Sequence, residues 1–274
     1  MINYVSFPHL FDKIFELNNV AFEIGSLSVR WYGVIICIGF LLAGTYAMVR
    51  CKQFGTTQDD ITDFALYLLP SVIIGARLYY VFHRWDYYSQ NPGQIIKVWE
   101  GGLAIYGGII AGVIVAIIFT RFKHIDFFNL GDLAVISLLI GQCIGRWGNF
   151  MNAEAFGGPT SLPWGMSING AAPCHPTFLY ESLWNLIAII ALHFYSKHRQ
   201  FKGEIILLYF GWYGLGRAWI EALRTDSLYI GNTDIRVSQL IAIVSFVVCF
   251  AALLYLYISK KYKTLKFLTL EQEK

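Results

Sequence analysis

The chain has 274 residues, of which 56% are hydrophobic, 17% aromatic and only 14% charged, with a mean hydropathy of +0.52. A soluble core cannot absorb that many apolar residues, so an ordinary globular protein is excluded and a polytopic membrane protein is predicted. The net charge of +3 is small and scattered, which gives no footprint for a nucleic-acid partner.

Residues 1–28 lack a basic segment followed by an apolar one, so no cleavable signal peptide is expected. Phe7, Leu10, Phe11, Ile14, Phe15 and Leu17 recur at helical spacing and predict a short helix lying in the membrane interface. Four spans follow, at about 33–49, 61–82, 103–120 and 130–146, with Trp85, Tyr87 and Tyr88 as an aromatic belt after the second. Residues 148–175 are polar, rich in Gly and Pro and free of Lys and Arg, and so read as an extramembrane head. Three more spans, at about 177–195, 204–220 and 237–258, lead to a basic tail over 259–274. The expected fold is all-α: one membrane domain over 1–274, with spans one to four in 33–147, spans five to seven in 176–258 and a small extracytoplasmic head. The five cysteines show neither paired nor metal-ligand spacing and read as small hydrophobes.

Basic residues set the orientation. Twelve of the 21 Lys and Arg fall on the side of the C-terminus, among them Arg50, Lys52, Arg121, Lys123, Lys197, Lys263, Lys266 and Lys274, against six on the other side. The positive-inside rule then puts the C-terminus in the cytoplasm and the N-terminus and head outside.

The three remaining cations, Arg77, Arg146 and Arg217, lie inside spans two, four and six, about 20–24 Å up each helix from its start. Charge inside a membrane is rare and functional by default. Arginine also offers a planar fork that matches a phosphate. Each of the three closely follows a glycine (Gly75, Gly145, Gly216) that lets a helix or headgroup approach. Behind Arg146, Asn149 and Asn152 share a helical face with Glu154 close by, which reads as a lipid-phosphate site beside a carboxylate. Arg217, Glu221 and Arg224 form one helical stripe. Two glycine pairs, Gly101-Gly102 and Gly107-Gly108, flank Tyr106 and predict an irregular start to span three. Glu181, near the outer end of span five, reads either as an arginine's buried partner or as a headgroup contact.

Gly145, Arg146, Gly148, Asn149, Phe150, Asn152, Glu154 and Gly157 occupy every fixed position of the signature of prolipoprotein diacylglyceryl transferases. Arg30-Trp31-Tyr32-Gly33, the paired-glycine segment, His175-Pro176 with Glu181, and the stripe from Arg217 to Arg224 also resemble that family. The resemblance covers all but about the first twenty and last fifteen residues. It implies a multi-pass enzyme of the bacterial cytoplasmic membrane. Such an enzyme moves the diacylglyceryl group of phosphatidylglycerol onto the lipobox cysteine of a prolipoprotein and releases glycerol phosphate, with no metal or cofactor. By the same resemblance Arg146, Arg217 and Tyr106 are the catalytic candidates. Tyr32, Arg77, Asn149, Asn152, Glu154, Gly157, Glu221 and Arg224 are candidates for the headgroup, with His175 and Glu181 in support. Some members carry histidine at the position of Tyr106, where it suits a general base, and a phenol is a poor base near neutral pH. Either the arginines activate Tyr106, another group takes the proton, or Tyr106 orients substrate.

A sulfur nucleophile attacking an sp³ carbon needs positive charge where the phosphate leaves, and Arg146 and Arg217 meet that need. The same cations favour thiolate formation. Cys174 beside His175 is not a nucleophile pair, because adjacent residues rarely face one another. The competing class is a transporter or channel whose arginines bind an anionic substrate. Against it, seven spans do not divide into two inverted repeats and the charges gather at one depth.

Overall fold

The structure is a computed structural model that describes residues 2–25, 27–231 and 233–262. The chain is mostly helical and gathers into two compact units, one of Met1–Thr45 with Ala134–Lys274 and one of Tyr46–Leu133. The end of the expected basic tail, with Lys263, Lys266 and Lys274, lies outside the described residues.

The first unit opens on strands, which corrects the expected interfacial helix and the all-α class. Strands β1 (Ile2–Phe7) and β2 (Phe11–Asn18) form an antiparallel hairpin, and β1 also pairs with β5 (Ser167–Ile168). A second hairpin joins β3 (Val20–Ile24) to β4 (Leu27–Arg30). The turn after Phe7 brings it opposite Phe11, so their rings meet across the hairpin with centroids 5.6 Å apart, and Phe15, on the same strand as Phe11, lies 6.5 Å from Phe7 and 6.0 Å from Phe11, a cluster that mimics helical spacing. The deciding period is two: Asn3 and Val5 are buried while Ile2 and Tyr4 are exposed. Val5 and Leu17 pack with Met166, Cys174 and Phe178, fastening the sheet to the segment between α5 and α6.

Helix α1 (Trp31–Arg50) follows β4 directly. Helices α5 (Phe127–Met151), α6 (Thr177–Tyr195), α7 (Glu204–Leu223) and α8 (Val237–Ser259) complete the unit, α5 beginning in the other one. Two tryptophans staple α6 to α7: Trp184 and Trp212 stack at 4.5 Å, and each indole N–H donates to the other's carbonyl at 3.0 Å. Far along α6 and α8, at the start of α7, the fully buried Glu204 accepts from the hydroxyls of Tyr195 and Tyr257 and from the backbone N–H groups of Gln200 and Phe201. One carboxylate thereby ties the ends of three helices, since a buried charge must have its lone pairs filled.

In the second unit, Thr57 and Asp60 form a capping box that starts α2 (Gln58–His83), and a short α3 (Trp85–Tyr88) follows. Gly101 and Gly102 take φ of +91° and +72°, so helix α4 begins only at Ile105 and the expected irregular start is present. A Cβ on Gly107 would lie 2.3 Å from the Gly75 carbonyl oxygen, which marks where α2 and α4 touch backbone to backbone.

Among the described residues, six helical segments are long and apolar enough to cross a membrane: Trp31–Phe54, Gln58–His83, Ile105–Phe122, Phe127–Met151, Thr177–His198 and Val237–Ser259. Helix α7 is not among them, because it carries Arg217 and Glu221 within its 20 residues. Large side chains such as Leu41, Phe122 and Ile258 stand exposed on these helices, an outcome stable in hydrocarbon and costly in water. The chain is a multi-pass integral membrane protein.

Candidate active site

The site grows from the ends of three helices. Arg146 near the end of α5, Glu181 in the second turn of α6, and Arg217, Glu221 and Arg224 at the end of α7 converge in the first unit. Glu181 is the hub: its Oε2 forms an ion pair with Arg146 Nη2, and its Oε1 accepts a hydrogen bond from Arg217 Nη1. The second nitrogen of Arg217 pairs with Glu221 Oε2 at 2.5 Å, one turn along the same helix. Arg224 Nη1 lies 3.9 Å from Glu181 Oε1, while its Nε and Nη2 grip Asp226 as a fork at 2.9 and 2.7 Å. From the start of α8, Arg236 Nη1 donates to the Glu221 carbonyl oxygen at 2.6 Å. Side chains of Glu181 and Glu221 are 5% and 2% exposed, and each buried carboxylate faces a guanidinium that offsets its desolvation. Arg217 reaches Glu181 because position 216 is glycine; a Cβ there would lie 2.2 Å from the indole nitrogen of Trp184.

The signature segment builds a second, polar shelf beside Arg146. Ala153 and Ala155 adopt positive φ after α5 ends and turn the chain back on itself. Glu154 Oε1 consequently accepts Asn149 Nδ2 at 3.0 Å and Asn152 Nδ2 at 3.2 Å, and Arg146 Nη1 donates to Asn149 Oδ1 at 3.4 Å. Asn152 Oδ1 is buried with no hydrogen-bond partner among the described residues. Gly148 lets the Tyr32 ring lie against α5, since a Cβ there would be 2.7 Å from Tyr32 Cδ2. Gly157 is wedged between strands of backbone: a Cβ would sit 2.7 Å from His175 Cβ and 2.9 Å from the Leu223 carbonyl oxygen. Its N–H donates to the His175 carbonyl at 2.9 Å, while Gly158 donates to Leu223 at 2.8 Å, tying the signature to the end of α7.

His175 Nδ1 lies 3.2 Å from the Tyr180 hydroxyl, which accepts the Trp164 indole N–H at 2.8 Å. Cys174 turns away, donating to the Met166 carbonyl at 3.1 Å, and burial pushes its thiol above the usual range, so it is unsuited to nucleophilic work. Asp226 and Arg236 were not among the residues expected from sequence. They lie outside the spans, and only the closeness of Asp226 to Arg224 in the chain hints at the first of them.

Arg77 and Tyr106 belong to the second unit. Arg77 is buried and donates to the carbonyls of Gln94, Ile95, Gly101 and Gly102 at 2.6, 2.8, 2.6 and 3.0 Å, with the Tyr88 ring 5.2 Å from its guanidinium carbon. It gathers the loop that leads into α4. Tyr106, in the first turn of α4, is 41% exposed.

Helix number, apolar surface and a buried cluster of arginines and carboxylates define a multi-pass membrane protein with a site suited to an anionic group. A model of the prolipoprotein diacylglyceryl transferase family matches residues 19–255. A phosphatidylglycerol–prolipoprotein diacylglyceryl transferase of Lysinibacillus sphaericus is 46% identical over 255 residues, spanning 88% of this chain and 93% of the relative. Proteins of the same name from Clostridioides difficile and Staphylococcus aureus are 40% and 43% identical over 90% and 87% of this chain and 98% and 89% of their own. The chain belongs to the prolipoprotein diacylglyceryl transferase family.

Proposed function

We propose that this protein transfers the diacylglyceryl group of phosphatidylglycerol to the lipobox cysteine thiol of a prolipoprotein, forming a thioether and releasing glycerol phosphate. The observation that carries this reading is the convergence of Arg146 and Arg217, from two helices, on one buried carboxylate in a chain of this family. Two guanidinium groups meeting at one point offer a phosphate paired N–H donors and positive charge where its leaving oxygen develops negative charge. In this reading Asn149, Asn152 and Glu154 receive the glycerol headgroup, with Tyr32 and Gly157 shaping the shelf. Glu221 sets the direction of Arg217, Arg224 adds a third cation beside Glu181, and His175 steadies the adjoining loop. Within the second unit, Arg77 holds the approach to α4. The protein is proposed to form one membrane domain of the bacterial cytoplasmic membrane. Helix α7 is its seventh crossing, residues 148–175 and the N-terminus lie outside, and the C-terminus faces the cytoplasm, in keeping with the distribution of Lys and Arg.

The test is a transfer assay with purified protein, phosphatidylglycerol and a peptide carrying a lipobox cysteine. Peptide mass and released glycerol phosphate should rise in equal amounts. Folded protein that binds the lipid and yields neither product would return the arginines to a role in binding or transport.

A further inference from the structure

Beneath the arginines the site has a second, uncharged layer. One turn farther from the helix ends, about 6 Å along each axis, Gln142 stands below Arg146 on α5, Asn185 below Glu181 on α6 and Tyr213 below Arg217 on α7. Residues at this interval share a helix face. Gln142 Nε2 donates to the Tyr209 hydroxyl at 2.9 Å, and the Tyr209 ring stacks on Tyr213 with centroids 5.8 Å apart. The Gln142 oxygen is buried without a hydrogen-bond partner among the described residues, but it is an acceptor and can take only a donor. Asn185 offers the opposite. It is 1% exposed, its Nδ2 has no hydrogen-bond partner among the described residues, and it lines a gap with Glu181, Tyr213 and Arg217. A buried amide donor without an acceptor costs stability, so its presence here calls for an acceptor that arrives with the substrate.

Resting on the transferase reading, we infer that Asn185 donates its amide N–H to an ester carbonyl of the diacylglyceryl group. In a phospholipid the glycerol carbons lead from the phosphate to the acyl esters on its hydrocarbon side, and beyond the esters the chains carry no polar group. A phosphate at Arg146 and Arg217 therefore sends its esters toward the layer of Asn185. An ester carbonyl is uncharged, accepts hydrogen bonds and donates none, which matches a neutral donor one turn below a cationic layer. The contact leaves the ion pairs of Glu181 undisturbed. It fixes the glyceryl carbons between two anchors, the phosphate above and the ester below, and so holds the carbon that the thiol attacks.

The experiment pairs two donors in mixed micelles, phosphatidylglycerol with ester-linked chains and its analogue with ether-linked chains, which lacks both carbonyls. Wild type and Asn185→Leu are compared by kcat/KM for lipidation of a lipobox peptide. Wild type is expected to favour the ester lipid by about tenfold, and the variant to lose about tenfold on the ester lipid and less than about twofold on the ether lipid. Equal losses on both lipids would mean that Asn185 only packs the site. An ester preference kept in the variant would assign the carbonyl to another group, and no preference in wild type would remove the contact; each overturns the inference. If the leucine variant does not fold, displacement of a fluorescent phosphatidylglycerol from wild type decides, and equal affinity for the two lipids overturns the inference. Wild type that binds the ester lipid more tightly than the ether lipid but lipidates no peptide would keep the contact and remove the transferase reading beneath it.

Discussion

At the scale of single residues, the site is electrically closed before substrate arrives. Three guanidinium groups (Arg146, Arg217, Arg224) stand against three carboxylates (Glu181, Glu221, Asp226), a balance of +3 and −3. Arg146→Ala or Arg217→Ala removes one cation and leaves Glu181 half-paired, so transfer is expected to fall by about 10²–10³-fold or more. Arg217→Lys keeps the charge but cannot bridge Glu181 and Glu221 together, and is expected to recover only a small part of the rate. Initial rates of peptide lipidation measure both, and rates within twofold of wild type would detach the arginines from the chemistry. Asp226 carries a second prediction. Hydrogen bonds from Arg224 hold its carboxyl below the ordinary range, so the pair stabilises the folded state fully above the unfolded value of about 3.9 and is lost as pH falls through the lower folded value. The gap in melting temperature between wild type and Asp226→Asn should therefore close as pH drops from about 6 toward about 3. A gap that stays constant would mean that the pair is not its source. Arg146, Arg217 and Glu221 were legible in the sequence because charge inside an apolar run is conspicuous. Asp226 and Arg236 act from loops and carry no such mark. Arg77 looked equivalent to the other arginines along the chain, yet its N–H groups go to carbonyls of a distant loop, a use that spacing cannot reveal.

At the scale of elements, the signature earns its glycines through close approach. Gly157→Ala would drive a Cβ into His175 and the Leu223 carbonyl and is expected to cost about 1–3 kcal/mol, read as a lower melting temperature in detergent. An unchanged transition would show that the wedge relaxes freely. Glu204→Gln removes the charge that receives two phenols and two backbone N–H groups, so a loss of about 3 kcal/mol or more is expected, with transfer at low temperature little altered. Wild-type stability in that variant would show the clasp to be dispensable. The N-terminal hairpin was the element that sequence reading mistook. Its apolar residues satisfy both a period near four and a period of two, and the tertiary partners Met166, Cys174 and Phe178, far along the chain, select the sheet.

At the scale of the whole molecule, hydropathy made the membrane class and the long helices legible, because each span had to exclude charge over most of its length. Helix α7 is the exception that function explains: the residues that lower its apolar character are the ones that build the site. The proposed orientation is checked by single cysteines placed in a cysteine-free background. Ser161→Cys is expected to react with an impermeant maleimide added outside intact cells, and Lys202→Cys only after the membrane is opened. The reverse pattern would invert the topology. The clasp at Glu204 has one more consequence. It joins α6, α7 and α8 at one extremity, while the arginines occupy the other end of α7, 13 residues and about 20 Å away. The Trp184–Trp212 pair and the Glu181–Arg217 pair brace α6 against α7 along that arm, so the arginines stand on a beam fixed at its base, its middle and its tip.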